Sequence, residues 1–232
     1  MANLKELRNR ITSVSSTMQI TSAMKMVSAA KLNKAQDAIT KMRPYSNKLT
    51  ELLQSLSATL DADSGSDYAE ERQINKVLIV AISSNRGLAG AFNTNIIKKV
   101  KSLTETTYKG ISTEVITIGK KANDILKKTH TVTTNNNSLF DDLSFENVAE
   151  VAEDLMAKFK NREYDKIVIV YNSFKNAATQ IVMNEQFLPL VAKQNDDVDT
   201  SSVSDYIFEP SKLEIVKDLI PKSLKMQLYK AL

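Results

Sequence analysis

The sequence predicts an α/β protein in which a long antiparallel helical coiled coil, built from the two chain ends, joins a mainly parallel Rossmann-like α/β domain. Three observations carry that expectation. Residues 3–43 contain no Gly and no Pro. From Val77 onward, β-branched runs alternate with helix-like segments at the spacing of βαβ units. Near the end, an apolar stripe at helical spacing (Leu213, Val216, Ile220, Leu224, Leu228, Ala231) is still in phase when the sequence reaches Leu232.

The first segment reads as one helical arm. Steps of three and four from Leu4 give Leu7, Ile11, Val14, Met18, Thr21, Lys25, Ser28, Leu32, Ala35, Ile39 and Met42, nine of twelve being apolar. That is a coiled-coil seam with a polar interruption, flanked there by Ile20, Met24 and Val27. Pro44 marks a kink or a new start, yet the register resumes at Leu49, Leu53, Leu56 and Leu60. Burying Leu4, Leu7, Ile11, Val14 and Met18 at ~1.5–3 kcal/mol each amounts to about 8–15 kcal/mol. This rivals the net stability of a whole domain, about 5–15 kcal/mol, so the seam needs a cover. Residues 211–232 reach only about 33 Å as a helix, roughly half of the arm. The N-terminal half must therefore pair outside this chain or fray.

Residues 61–71 are acidic and rich in small residues, and read as a linker. Strands are expected at Val77–Ile82, Val115–Ile118, Ile167–Tyr171 and, at an edge because of Pro189, Thr179–Leu190. Helices are expected at Asn93–Thr104, Lys120–Lys128 and Phe145–Lys160, and loops at Asn135–Asn137 and Asn195–Ser204. The resulting division is an arm over residues 1–60, a linker over 61–75, an α/β domain over 76–208, and the start of a second long helix, cut short, over 209–232.

Composition excludes several classes. With no Cys among 232 residues there is no disulfide framework, thiol nucleophile or Cys-based metal site. No run approaches the ~20 apolar residues of a membrane span, and the start lacks the apolar stretch of a secretory signal, so the chain reads as intracellular. Charge is unevenly spread. Residues 1–48 hold nine bases and two acids, net +7, while the remaining 184 residues hold 22 bases and 25 acids, net −3. A basic arm of this kind suits an acidic partner.

Chemistry-bearing motifs are sparse. Arg86-Gly87-Leu88-Ala89-Gly90, after a strand and before a helix, stands where a nucleotide-binding turn belongs, but lacks the Gly-Lys-Ser/Thr ending and the third Gly of the two phosphate fingerprints. Glycines serving a tight turn and close helix–strand packing are the favoured reading. His130 has no second His or Cys to converge with and reads as a solvated loop residue. Asp141-Asp142 and Asp196-Asp197 read as solvated turn acids. A coiled coil with a Rossmann-like nucleotide-binding domain of other function stays open, as does nucleic-acid binding by the basic helix.

The run Leu4–Gln36 resembles the N-terminal helix of the γ-subunit family of F-type ATP synthases. SSNRGLAGAFN (Ser83–Asn93), Tyr164–Gln180 and Tyr206–Ser211 resemble later blocks of that family in the same order. The resemblance implies a central-stalk rotor: a helical shaft inside a ring of catalytic α and β subunits and an α/β foot near the c ring and the ε subunit. It implies coupling of proton- or sodium-driven c-ring rotation to ATP synthesis or hydrolysis, no catalytic residue, metal or cofactor in this chain, and membrane attachment only through the complex. By the same resemblance, Arg8, Arg10, Met24 and Lys25 would face the catalytic ring and its acidic loops. Tyr206, Phe208 and Glu209 would meet the c ring or ε, and Gly87 and Gly90 would form a structural turn. Family members continue past Leu232 with a helix that pairs with the first, and the Cys-bearing insertion of the chloroplast form is missing, which points to the cytoplasmic side of a bacterial inner membrane.

Overall fold

Six consecutive residues of β1 (Lys76–Ile82), Val77 to Ile82, are buried, the mark of a strand covered on both faces. The computed structural model describes residues 3–57, 67–176, 179–190 and 211–232, apart from the side chains of residues 50, 53–57, 212, 213 and 216. Around β1 lie β2 (Ser112–Ile118), β3 (Thr131–Asn135), β4 (Lys166–Asn176) and β5 (Thr179–Leu188) in the order β3-β2-β1-β4-β5. The first four are parallel; β5 runs antiparallel to β4 at one edge. The expected edge strand is therefore present, with Pro189 just beyond its last residue.

Alternation of side chains along each strand sends Val77, Ile79 and Ala81 to one face, and Leu78, Val80 and Ile82 to the other. Two apolar layers result. On the first face α2 (Phe92–Ser102) contributes Ile96, Ile97 and Val100, and α3 (Lys120–Leu126) contributes Ala122 and Leu126. On the second, α4 (Phe145–Lys160) contributes Val148, Ala152, Leu155 and Phe159. α5 (Lys212–Ala231) adds Ile220, Leu224, Leu228 and Ala231 to that second layer. The expected stripe of the last helix thus packs on α4 and β4 within the α/β unit; Leu213 and Val216 lie outside the described side chains.

Capping explains where two of these helices start. Ser144 accepts from the Asn147 amide at 3.2 Å, and Ser211 accepts from the Glu214 amide at 3.3 Å, with Glu214 in the Ser-x-x-Glu position of a capping box. Phe145 and Tyr229 meet edge to face at 5.7 Å, and Lys225 bonds Glu153, joining α4 to α5.

Two departures from the sequence reading have physical causes. β3 was not expected, since Thr131-Val132-Thr133-Thr134-Asn135 has no apolar run; it is a polar edge strand whose Val132 alone packs on the core. Asn135 ends this strand and Asn137 opens a 3₁₀ turn, Asn137–Phe140, so little of the expected loop remains. Helix α2 also continues as a π-helical turn, Leu103–Thr107, closed by the Tyr108 amide on the Leu103 carbonyl at 2.8 Å.

α1 (Leu4–Ser57) is a single helix of 54 residues, about 80 Å long at 1.5 Å per residue. Pro44 lies inside it without ending it; the carbonyl four residues earlier, Thr40, loses its helical donor at an exposed position, within reach of solvent. The chain divides into two compact units, Met1–Tyr45 and Ser46–Leu232. In the first, Leu4, Leu7, Ile11, Val14 and Met18 are all more than half exposed. In the second, Ser46 and Leu49 are buried.

These burials set a contrast that denaturant melts can read. Leu224→Ala, at 1% exposure, should cost about 2–5 kcal/mol. Ile11→Ala, at 63% exposure, should leave the free chain within about 0.5 kcal/mol.

Candidate functional site

Residues 4–35 of α1 are exposed all round. One line of this surface is apolar, from Leu4 through Met18, and continues on the flanking line Ile20, Met24 and Val27. Threonines beside it turn inward: Thr12, Thr17 and Thr21 donate their hydroxyls to carbonyls four residues back, at 3.0, 2.8 and 2.8 Å. Their methyl groups therefore add apolar surface without a free hydroxyl proton. Val14, Thr17, Met18, Thr21, Ser22 and Lys25 line a shallow groove.

Arg8 and Arg10 each stand one turn beyond a seam leucine, Leu4 and Leu7, so they border the apolar line. Lys25 interrupts that line and Met24, 57% exposed, adjoins it. None of the ion pairs among the described residues involves Arg8, Arg10 or Lys25. An apolar stripe with positive charge along its margin is suited to an apolar surface rimmed by acids. Tyr206, Phe208 and Glu209 lie outside the described residues, as do Asp196 and Asp197.

The glycine turn between β1 and α2 is where a nucleotide would sit in a doubly wound sheet. Here the loop is bonded to the starts of α2 and α3. The amides of Lys120, Lys121 and Ala122, at the start of α3, bond Asn85 Oδ1 at 3.0 Å, the Ser84 carbonyl at 3.1 Å and Ser83 Oγ at 2.9 Å. The Phe92 amide, at the start of α2, bonds the Ala89 carbonyl at 3.1 Å. Asn93 accepts from the Ser84 amide at 2.9 Å and ties the loop to α2. The loop is thereby tied to both helices.

Close packing, expected of Gly87 and Gly90, falls elsewhere. A Cβ on Gly87 would meet only the end of Lys121 at ordinary contact, and one on Gly90 would meet nothing, although Gly90 has φ +55°. The tight position is Gly119, at φ +110°, where a Cβ would stand 2.1 Å from the Ser83 carbonyl oxygen. At the loop tip Leu88 is wholly exposed and holds φ +62°, a conformation that disfavours a branched apolar side chain. Its backbone angle left no signal in the sequence.

His130, expected in solvent, is half-buried between Thr104 and Thr129. At the opposite end of β2 from the glycine turn, Lys76 and the Tyr164 hydroxyl hold Glu114 at 2.7 and 2.6 Å and keep its carboxyl below the usual carboxylate range. Among the described residues no group of three His, Cys, Asp or Glu could hold a metal, and no helix is long and apolar enough to cross a membrane.

A helix with an uncovered apolar and basic face, carried by a chain whose α/β unit has a complete core of its own, marks a subunit built for assembly. Residues 3–232 match the family model described as ATP synthase. The ATP synthase gamma chain of Christiangramia forsetii is 70% identical over 232 residues, covering all of this chain and 80% of that protein. The gamma chain of Flavobacterium johnsoniae is 64% identical with the same coverage. The chain belongs to the ATP synthase gamma-chain family. Its fold is shared with a chain of the Tetrahymena thermophila mitochondrial ATP synthase central stalk and c-ring structure, with a TM-score of 0.66, 22% identity, and coverage of 91% of this chain and 90% of that one.

Gly119→Ala should cost several kcal/mol in a denaturant melt, because backbone must move to admit the methyl. Leu88→Gly should leave stability within about 1 kcal/mol, the relief at positive φ offsetting the added unfolded-state entropy.

Proposed function

We propose that this chain is the central-stalk rotor subunit of an F-type ATP synthase, coupling proton- or sodium-driven rotation of a c ring to ATP synthesis or hydrolysis in a ring of α and β subunits. The observation that carries the reading is the uncovered apolar and basic face of α1 in a chain 70% identical to an ATP synthase gamma chain. Residues 1–60 act as the shaft, with 209–232 as its second helix; 61–75 link, and 76–208 are the foot. The chain takes no part in bond making, which belongs to β.

Arg8, Arg10, Met24 and Lys25 are the shaft's contacts with the catalytic ring. A rotor must be held without being locked, and long-range attraction between a +7 segment and acidic loops of β changes little with rotation angle, unlike directional hydrogen bonds. The apolar line beside these charges supplies a non-directional sliding surface, and unbranched methionines such as Met24 adapt to several partner shapes. Tyr206, Phe208 and Glu209 serve the foot's contact with the c ring and ε, and Gly87 and Gly90 shape a structural turn. Such a complex would place the chain on the cytoplasmic side of a bacterial inner membrane.

The test is assembly followed by coupling. The chain should co-purify with α and β subunits, less completely as salt rises. In reconstituted vesicles, Met24→Lys in the assembled complex should lower proton pumping severalfold more than ATP hydrolysis, because it sets a second ammonium beside Lys25 on the apolar line. Equal losses of both activities would contradict the role given to Met24; failure to bind α and β would overturn the reading itself.

A further inference from the structure

The α/β unit is electrically two-sided. Residues 98–128, from the second half of α2 to just past α3, hold eight lysines, no arginine and three acids, net +5. Residues 141–165, which carry α4, hold eight acids and three bases, net −5. Since α2 and α3 cover one face of the sheet and α4 the other, the two charges lie on opposite sides of it.

The two sides also differ in how their cations are used. On the α4 side all three are paired: Lys158 with Asp154, Lys160 with Asp67 at 2.8 Å, and Arg162 with Glu70 at 3.1 Å. On the α2–α3 side, the ion pairs among the described residues engage one lysine, Lys127, with Asp124 at a long 3.8 Å, while Glu114 is spent on Lys76 of β1. Lys98, Lys109, Lys127 and Lys128 are exposed. Ile125 stands among these lysines at 44% exposure, one turn from both Lys121 and Lys128.

We infer that the α2–α3 side of the α/β unit docks on an anionic bilayer, with Lys98, Lys101, Lys127 and Lys128 on the lipid phosphates and Ile125 entering the headgroup layer. The residue types choose this partner. Protein interfaces favour arginine and aromatic anchors and are depleted in lysine, and single-stranded nucleic acids need aromatic faces for their bases. The one aromatic ring of residues 98–128, Tyr108, is buried. Lysines are flexible point charges on apolar stems, suited to a layer of mobile phosphates rather than to a fixed pattern of acids. An exposed isoleucine among them adds an apolar anchor of the kind that interfacial helices use. The same bilayer repels the acidic α4 side, so the charge pattern also fixes which side approaches. This is a direct contact with lipid, beyond attachment through a complex, and it stands on the charge pattern independently of the rotor reading.

The basic α1 could hold the same vesicles, so the test must read the α2–α3 side locally. The chain has no Cys, so in the full chain Ile125→Cys sets a single thiol on this side and Glu150→Cys one on α4, each to carry a polarity-sensitive dye. Vesicles of mixed phosphatidylglycerol and phosphatidylcholine should shift the emission of the dye at 125 and leave that at 150 unmoved. Phosphatidylcholine alone should shift neither. Adding Lys98→Gln, Lys101→Gln, Lys127→Gln and Lys128→Gln to the Ile125→Cys chain should raise the vesicle concentration for half of the shift about tenfold or more. No shift at 125, equal shifts at 125 and 150, a shift with phosphatidylcholine alone, or a quadruple variant that responds like its parent would each overturn the inference. So would a shift given by a soluble acidic protein and not by vesicles, which would assign this side to a protein partner.

Discussion

The uncovered apolar seam on the first half of α1 is the constraint that organises this protein. An isolated helix gains nothing from leucine and isoleucine on its surface, and long helices in water owe most of their stability to packing. A chain that exposes Leu4, Leu7, Ile11, Val14 and Met18 in register, bordered by arginines engaged in no ion pair among the described residues, leaves that stabilisation to a partner. The positive charge follows from the same constraint. Net charge of this size opposes self-association of the apolar line and suits an acidic surface.

The unit from Ser46 onward solves the opposite problem. Its parallel sheet is buried on both faces, α2 and α3 lying on one and α4 and α5 on the other, and needs no partner for its core. The loop after β1 closes this unit by occupying the leading amides of α3, with Gly119 allowing Ser83 to approach. The first βα turn of a doubly wound sheet is where such folds place a ligand's phosphate. Here that loop spends Ser83, Ser84 and Asn85 on the start of α3 and ties itself to α2 through Asn93, while its exposed tip, with Leu88 in an unfavourable backbone region, is free of any duty to the core.

What could be read beforehand was whatever rests on apolar spacing. The continuous helix through Pro44, the unbroken apolar runs of β1 and β4, and Ile220, Leu224, Leu228 and Ala231 of the α5 stripe are all features of apolar spacing, and each lies where that spacing puts it. Polar features were harder. β3 is held by backbone pairing to β2 while its side chains are mostly threonines, so no run announces it. Gly119 owes its importance to an approach between residues 36 positions apart. His130 seemed isolated because its partners are hydroxyls, one of them 26 residues away, and threonine spacing carries no metal or catalytic signature. The face of α1 was legible as a surface in need of cover; which of its residues touch which partner is a matter of the partner's shape, and no periodicity contains that.

The most direct test of the central claim is amide hydrogen exchange over residues 4–32, measured on the free chain and on the chain assembled with α and β subunits. The account predicts exchange near the fraying limit for the free monomer and strong protection in the assembly. Strong protection of the same amides in a proven monomer would show that the seam needs no partner, and would contradict it.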